Sequence, residues 1–258
     1  MDALKNILNA DKIIWSGTGH SFALAELFAL MTKLNYDKVS LAAKKSELES
    51  YNESWKKIFI SQSGNLPKNK IDLIITQHKN TVKHEKICIE SPYDEIPWFA
   101  LDYFKNLVIE ISKYFNVSCH KNDSINGSIS KKKVLLVFDK YSQPLKQFLD
   151  ATTEKISEVE LQLTELGDFG HGYHQQVYND RFEEIVLCIS DQDAFNEIKQ
   201  WLNKINKSYK ELNIQNQYSV NTIINNFLFL LNYIKLYLEN FRVEYLNKKI
   251  PLELDKLR

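Results

Sequence analysis

Short apolar runs alternate with longer amphipathic stretches along this chain. Short runs suit buried strands and apolar positions recurring every three to four residues suit helices, so the alternation predicts an α/β protein with a mostly parallel sheet. Ile13-Ile14-Trp15 reads as a first strand. Ser21 to Leu34, with Leu24, Leu27, Phe28 and Met31 on one face, reads as a helix. Further strands are expected near Val39 to Leu41, at Ile58-Phe59-Ile60, at Leu73-Ile74-Ile75 and at Ile87-Cys88-Ile89, and a helix from about Ile96 to Phe115 closes this part.

Residues 118–132 are rich in Ser, Asn and Lys and show no periodicity, which marks them as a linker between a first half, 1–117, and a second, 133–258. The second half repeats the plan in shortened form. Strands are predicted at Val134 to Phe138, Val159 to Leu163 and Ile185 to Ile189, with a helix near Pro144 to Ile156. A helix from roughly Val220 to Leu238 is apolar all round, which implies burial between the halves or in a dimer interface. The working expectation is an internal duplication whose second copy is degenerate.

Two strand ends carry the chemistry. The first strand runs into Ser16-Gly17-Thr18-Gly19-His20-Ser21 and a helix follows at once, a geometry that gathers backbone N–H groups around an anion. Glycine lets the backbone approach closely, and Thr18 and Ser21 add neutral hydroxyls. The third glycine of a dinucleotide fingerprint would fall at Phe22, and no Gly-Lys-Ser/Thr follows, so neither a Rossmann nor a Walker loop is present. The strand at Ile58 runs into Ser61-Gln62-Ser63-Gly64. Either loop alone is ordinary turn chemistry. Together, at the carboxyl edge of one parallel sheet, they form a phosphate cradle.

These residues resemble the sugar isomerase (SIS) domain family, in particular the isomerase half of glutamine-fructose-6-phosphate aminotransferases. Gly19-His20-Ser21 is similar to that family's Gly-Thr-Ser loop, Ser61 to Gly64 to its Ser-Gln-Ser-Gly, and Ser46-Glu47-Leu48 to its Ser-Glu-Phe segment. Asp168-Phe169-Gly170-His171-Gly172 resembles the family's His-Gly motif, and Pro251 to Lys256 its terminal Pro-Arg-x-Leu-x-Lys tail. The resemblance implies a three-layer α/β/α parallel-sheet SIS fold in two pseudo-repeated halves. It implies a phosphorylated sugar or amino sugar held by Thr18, Gly19, Ser21, Ser61, Gln62, Ser63 and Gly64, and aldose–ketose isomerisation through an enediol. His171 would open the ring, Lys256 would lie over the sugar, and a homodimer would share its active sites.

The match departs from the family at the proton-transferring glutamate. Its register, sixteen residues before His171, holds Lys155, with Glu154 adjacent. A one-residue step turns a helical side chain by about 100°, so Glu154 serves as base only if the helix is locally shifted. Asn65-Leu66 also replaces the usual Glu-Thr after the second loop. Moving a proton along an enediol needs a poised carboxylate, whereas a lysine there binds an anion or forms a Schiff base. Three readings stay open: an isomerase using Glu154, different chemistry on a related substrate, and a non-catalytic sugar-phosphate sensor.

Composition narrows the rest. Acidic and basic residues balance at 33 each, so no net field favours nucleic acid or an anionic membrane. Cys88, Cys119 and Cys188 form no CxxC pair, and Cys88 and Cys188 read as core thiols. No metal or other cofactor is expected; His171 and His174 would share a face only on a helix, with Asp168 the nearest further ligand. The first residues lack the apolar segment of a secretory signal, and no run of about 18 uncharged apolar residues occurs, giving the expectation of a soluble cytoplasmic protein.

Overall fold

The computed structural model describes residues 2–62, 66–68, 70–77, 85–89, 97–117, 131–138, 143–153, 160–189, 192–213 and 220–240. The chain divides into two compact units, the first reaching Leu107 and the second starting at Val108.

In the first unit, α1 (Asp2–Leu8) leads to β1 (Lys12–Gly17), α2 (His20–Tyr36), β2 (Val39–Lys44), a 3-10 turn (Lys45–Ser50), β3 (Lys56–Ser61), β4 (Leu73–Thr76) and β5 (Lys86–Cys88). All strand pairs are parallel and the order is β2-β1-β3-β4-β5. The helix α3 (Pro97–Ser112) follows β5. Ile13, Ile14 and Trp15 are fully buried, because a strand covered on both faces needs apolar side chains pointing both ways. Residues paired across parallel strands share a face, so Trp15 stands with Ala42 of β2 and Ile58 of β3 against α2. There its indole N–H donates to Thr32 Oγ1 at 3.0 Å, that hydroxyl donates to the Phe28 carbonyl at 2.7 Å, and the ring lies 5.1 Å from the Phe28 ring. On the opposite face Ile14, Ala43, Phe59 and Ile74 pack with Leu48 and Ile71. Each such fully buried aliphatic or aromatic side chain contributes about 1.5–3 kcal/mol.

The second unit contains β6 (Lys133–Phe138), α4 (Gln143–Thr153), β7 (Glu160–Glu165), a helical segment, β8 (Glu184–Ile189), α7 (Asn196–Lys204), β9 (Tyr209–Asn213) and α8 (Val220–Asn240). The helical segment is α5 (Leu166–Asp168), a π turn (Phe169–Tyr173) and α6 (His174–Tyr178). Its parallel sheet runs β7-β6-β8-β9, the order of the first sheet with no fifth strand among the described residues. Val134 to Phe138 are fully buried. Phe148 of α4 meets Phe227 of α8 edge to face at 5.2 Å, and Tyr237 of α8 donates its hydroxyl to the Lys132 carbonyl. Most of α8 is buried within a single chain, from Ile223 through Phe227 and Leu230 to Ile234, but not all round as expected, since Leu236 is exposed.

Two helices and a strand escape the apolar pattern: α1, α7 and β9. Cys188 is buried as read, whereas Cys88, at the end of the edge strand β5, is half-buried and donates its thiol to the Gln77 carbonyl at 3.4 Å. The expected linker lies outside the described residues except at its end.

Candidate functional site

In the order β2-β1-β3 the chain leaves β1 through α2 to pair β2 on one side, while β3 pairs on the other. A topological switch point therefore lies between β1 and β3, and the crevice outside the carboxyl ends of such strands is where α/β sheets take ligands. Trp15 pairs with Ile58 and Ser16 with Phe59. Continuing that register brings Thr18 level with Ser61, so the two hydroxyl-bearing turns leave neighbouring strands at the same edge.

Gly17 sets how closely α2 begins. A Cβ there would stand 2.6 Å from the backbone carbon and oxygen of Ser21, so only glycine lets the first turn of α2 sit on the end of β1. Gly19 follows with φ 55 and ψ −128, a conformation that side chains resist. The N–H groups of Ser21 and Phe22 bond to the carbonyls of Thr18 (3.1 Å) and Gly19 (3.0 Å). These two amides are thus engaged inside the turn, contrary to the expectation that they face an anion, and more of any anion contact falls to side chains. Ser21 and Ser61 are each only 5% exposed, Gln62 is half-buried, and Thr18 and Gly19 are exposed. Ser63 and Gly64 lie outside the described residues.

Sequence reasoning passed over several polar groups beside these turns. Thr76 pairs with Ser61 in register and is buried, adding a hydroxyl at the end of β4. Ser16 is fully buried and its Oγ has no hydrogen-bond partner among the described residues. His20, the first residue of α2, is half-buried with its ring 5.3 Å from that of Phe104 in α3. Only register reveals Thr76; Ser16 and His20 were visible inside the quoted motif.

Glu26, also on α2, is half-buried, and its Oε2 has no partner among the described residues. Burial pushes its carboxyl up to about 7, against the pull of Lys44, which stands level with Gly17 at the end of β2. Glu47 of the Ser46-Glu47-Leu48 segment accepts the Lys44 backbone N–H at 2.7 Å, and Leu48 is fully buried, so this segment anchors the turn after β2.

In the second unit His171 is exposed at φ −96, ψ 24, followed by Gly172 at φ 145. That kink breaks the helix between His171 and His174, which removes the basis for a shared helical face. His174 is half-buried against Trp201, ring centroids 6.4 Å apart, and Phe169 lies 5.7 Å from the same indole. A hollow of about 280 Å³ between α4 and β7 is lined by Lys146, Asp150, Gln162 and Tyr173 among others, and the described residues of its lining include none of those named above for the sugar. Glu154, Lys155 and Lys256 lie outside the described residues. Among the described residues no group of three or more His, Cys, Asp or Glu is placed to hold a metal ion, and no helix is long and apolar enough to cross a membrane.

No protein-family model and no curated protein matches the sequence. Solved structures do. An assigned phosphosugar isomerase from Silicibacter pomeroyi superposes with a TM-score of 0.64 at 7% identity, over 93% of this chain and 90% of its own. The C-terminal domain of glucosamine-fructose-6-phosphate aminotransferase from Francisella tularensis gives 0.57 at 13% identity, over 95% of this chain and 89% of its own. Tagatose-6-phosphate ketose/aldose isomerase from Escherichia coli gives 0.59 at 12%, over 93% and 86%. This chain shares the α/β fold of these structures. At such identities the likeness is one of backbone, and what the site does depends on the chain's own residues.

Proposed function

We propose that this chain binds a phosphorylated sugar or amino sugar at the β1/β3 switch point and interconverts its aldose and ketose forms through an enediol. The observation that supports the reading is the placement of two buried serines, Ser21 just beyond β1 and Ser61 at the end of β3, on adjacent parallel strands, in a fold shared with phosphosugar isomerases. In this reading Thr18, Gly19, Ser21, Ser61, Gln62, Ser63 and Gly64 hold the phosphoryl group. Neutral hydroxyl and amide donors fit a phosphoryl group that must be released again. His171 assists ring opening, Glu154 shuttles the proton and Lys256 closes over the sugar, in a homodimer whose copies share active sites. The exposure of His171 agrees with a group that reaches a site other than its immediate surroundings.

The competing reading is a sugar-phosphate sensor without turnover, favoured by Lys155 at the register of the base. Calorimetry with fructose 6-phosphate and glucose 6-phosphate, alongside proton NMR of the same mixtures in heavy water, separates the two. The isomerase reading predicts saturable binding that Ser21→Ala and Ser61→Ala weaken, interconversion of the sugars, and deuterium entering at C2 of the aldose. Binding without interconversion, unchanged by Glu154→Gln, establishes the sensor. Absence of binding to either sugar and to glucosamine 6-phosphate overturns both.

A further inference from the structure

His20 has no role in the account so far, yet it stands inside the cradle between Gly19 and the buried Ser21. We propose that His20 is a direct ligand contact, its imidazole N–H donating to a phosphoryl oxygen of the bound sugar phosphate. The inference rests on the phosphosugar reading of this site and adds a residue that neither the resemblance nor the fold likeness assigns.

Three observations support it. First, position: His20 opens α2 at the β1/β3 switch point, just beyond the strand ends where Ser16 pairs with Phe59. Second, orientation: its half-buried ring is tilted 40° to the Phe104 ring at 5.3 Å, and Phe104 is only 1% exposed and meets Tyr103 edge to face at 5.2 Å. A ring seated on so rigid a platform has lost its rotamer freedom before a ligand arrives, which favours binding through it. Third, charge: the cradle side chains Thr18, Ser21, Ser61 and Gln62 are all neutral, while a sugar phosphate carries up to two negative charges. Among the described residues Lys44, a cation at the end of β2, pulls on the Glu26 carboxyl. Glu26 follows His20 by six residues and is therefore turned about 240° around α2 from it. His20 thus faces α3 while Glu26 faces β2, and the imidazole is the titratable donor on the cradle's own flank. Imidazole donates one N–H when neutral and two, with a positive charge, when protonated.

The test uses carbon–proton spectra of the six imidazoles during titration with fructose 6-phosphate, the His20 signal being the one missing from both His20→Phe and His20→Asn. The proposal predicts that this signal moves saturably, with the dissociation constant that calorimetry gives. His20→Phe keeps a ring on Phe104 but removes the donor, so it should melt with the wild type and bind about ten-fold or more weakly. His20→Asn, which retains an N–H donor, should bind between the two. If heat is released while the His20 signal stays still, or if His20→Phe binds as tightly as wild type, His20 is packing alone and the proposal fails, leaving the phosphosugar reading intact. If no phosphosugar releases heat and no imidazole moves, the phosphosugar reading fails and takes this inference with it.

Discussion

Replacing Gly17 by alanine tests the way α2 is seated on β1. The new Cβ would lie 2.6 Å from two backbone atoms of Ser21, and ordinary contact begins at 3.4 Å, so the first turn of α2 must move by roughly 0.8 Å. The obstacle is helix backbone, which cannot rotate aside as a side chain can. Overpacking of this kind costs about 1–3 kcal/mol, a fall in melting temperature of about 2–6 °C for a protein of this size. The same movement displaces the Ser21 hydroxyl, and in the proposed site loss of one neutral hydrogen bond weakens phosphosugar binding by about two- to ten-fold. Urea and thermal unfolding followed by circular dichroism read the first effect, and calorimetry with fructose 6-phosphate reads the second. A Gly17→Ala protein with unchanged melting temperature and unchanged affinity would refute the described seating of α2, and with it the cradle geometry.

Other substitutions test other layers. Thr32→Val removes the acceptor of the fully buried Trp15 indole N–H and should destabilise by about 1–3 kcal/mol, measured by urea unfolding. Glu26 has a folded-state pKa raised above its unfolded value, so its contribution is full below about pH 4.5 and is lost as pH rises through 7; Glu26→Gln should flatten the decline in stability between pH 5 and 8. Glu183 behaves oppositely. Its carboxylate accepts the backbone N–H groups of Lys133 at 3.2 Å and Lys132 at 2.8 Å, which hold its pKa below the usual carboxylate range. That contribution is present above the unfolded pKa and lost as pH falls through the folded one, so Glu183→Gln should be destabilising at pH 7 and indistinguishable from wild type in acid. A Glu183→Gln deficit that persisted in acid would point to lost packing instead.

How much of this was legible beforehand differs by element for physical reasons. The strands β1, β3, β6 and β8 are covered on both faces, so Ile13 to Trp15, Ile58 to Ile60, Val134 to Phe138 and Ile185 to Ile189 stand out as apolar runs. The edge strand β9 carries Lys210 and Glu211, which bond to Glu184 and Lys199 rather than to a core, and its sequence reads as polar. In α7 only Ile198 and Leu202 are buried, too few for the pattern to declare a helix. The break at Gly172 depends on a φ of 145 that a glycine permits but does not announce. At the site, Ser21 and Ser61 were found because hydroxyl-rich turns follow apolar strands. Thr76 was not, because only pairing register sets it beside Ser61, and the raised pKa of Glu26 arises from packing around α2.

The central claim is that one phosphoryl group lies between the turns at Ser21 and Ser61. A crystal structure of the protein grown with fructose 6-phosphate tests it most directly: the account predicts phosphate density within hydrogen-bond distance, about 2.5–3.2 Å, of both hydroxyls. Density for the sugar phosphate at any other place, with water alone between these two turns, would contradict it.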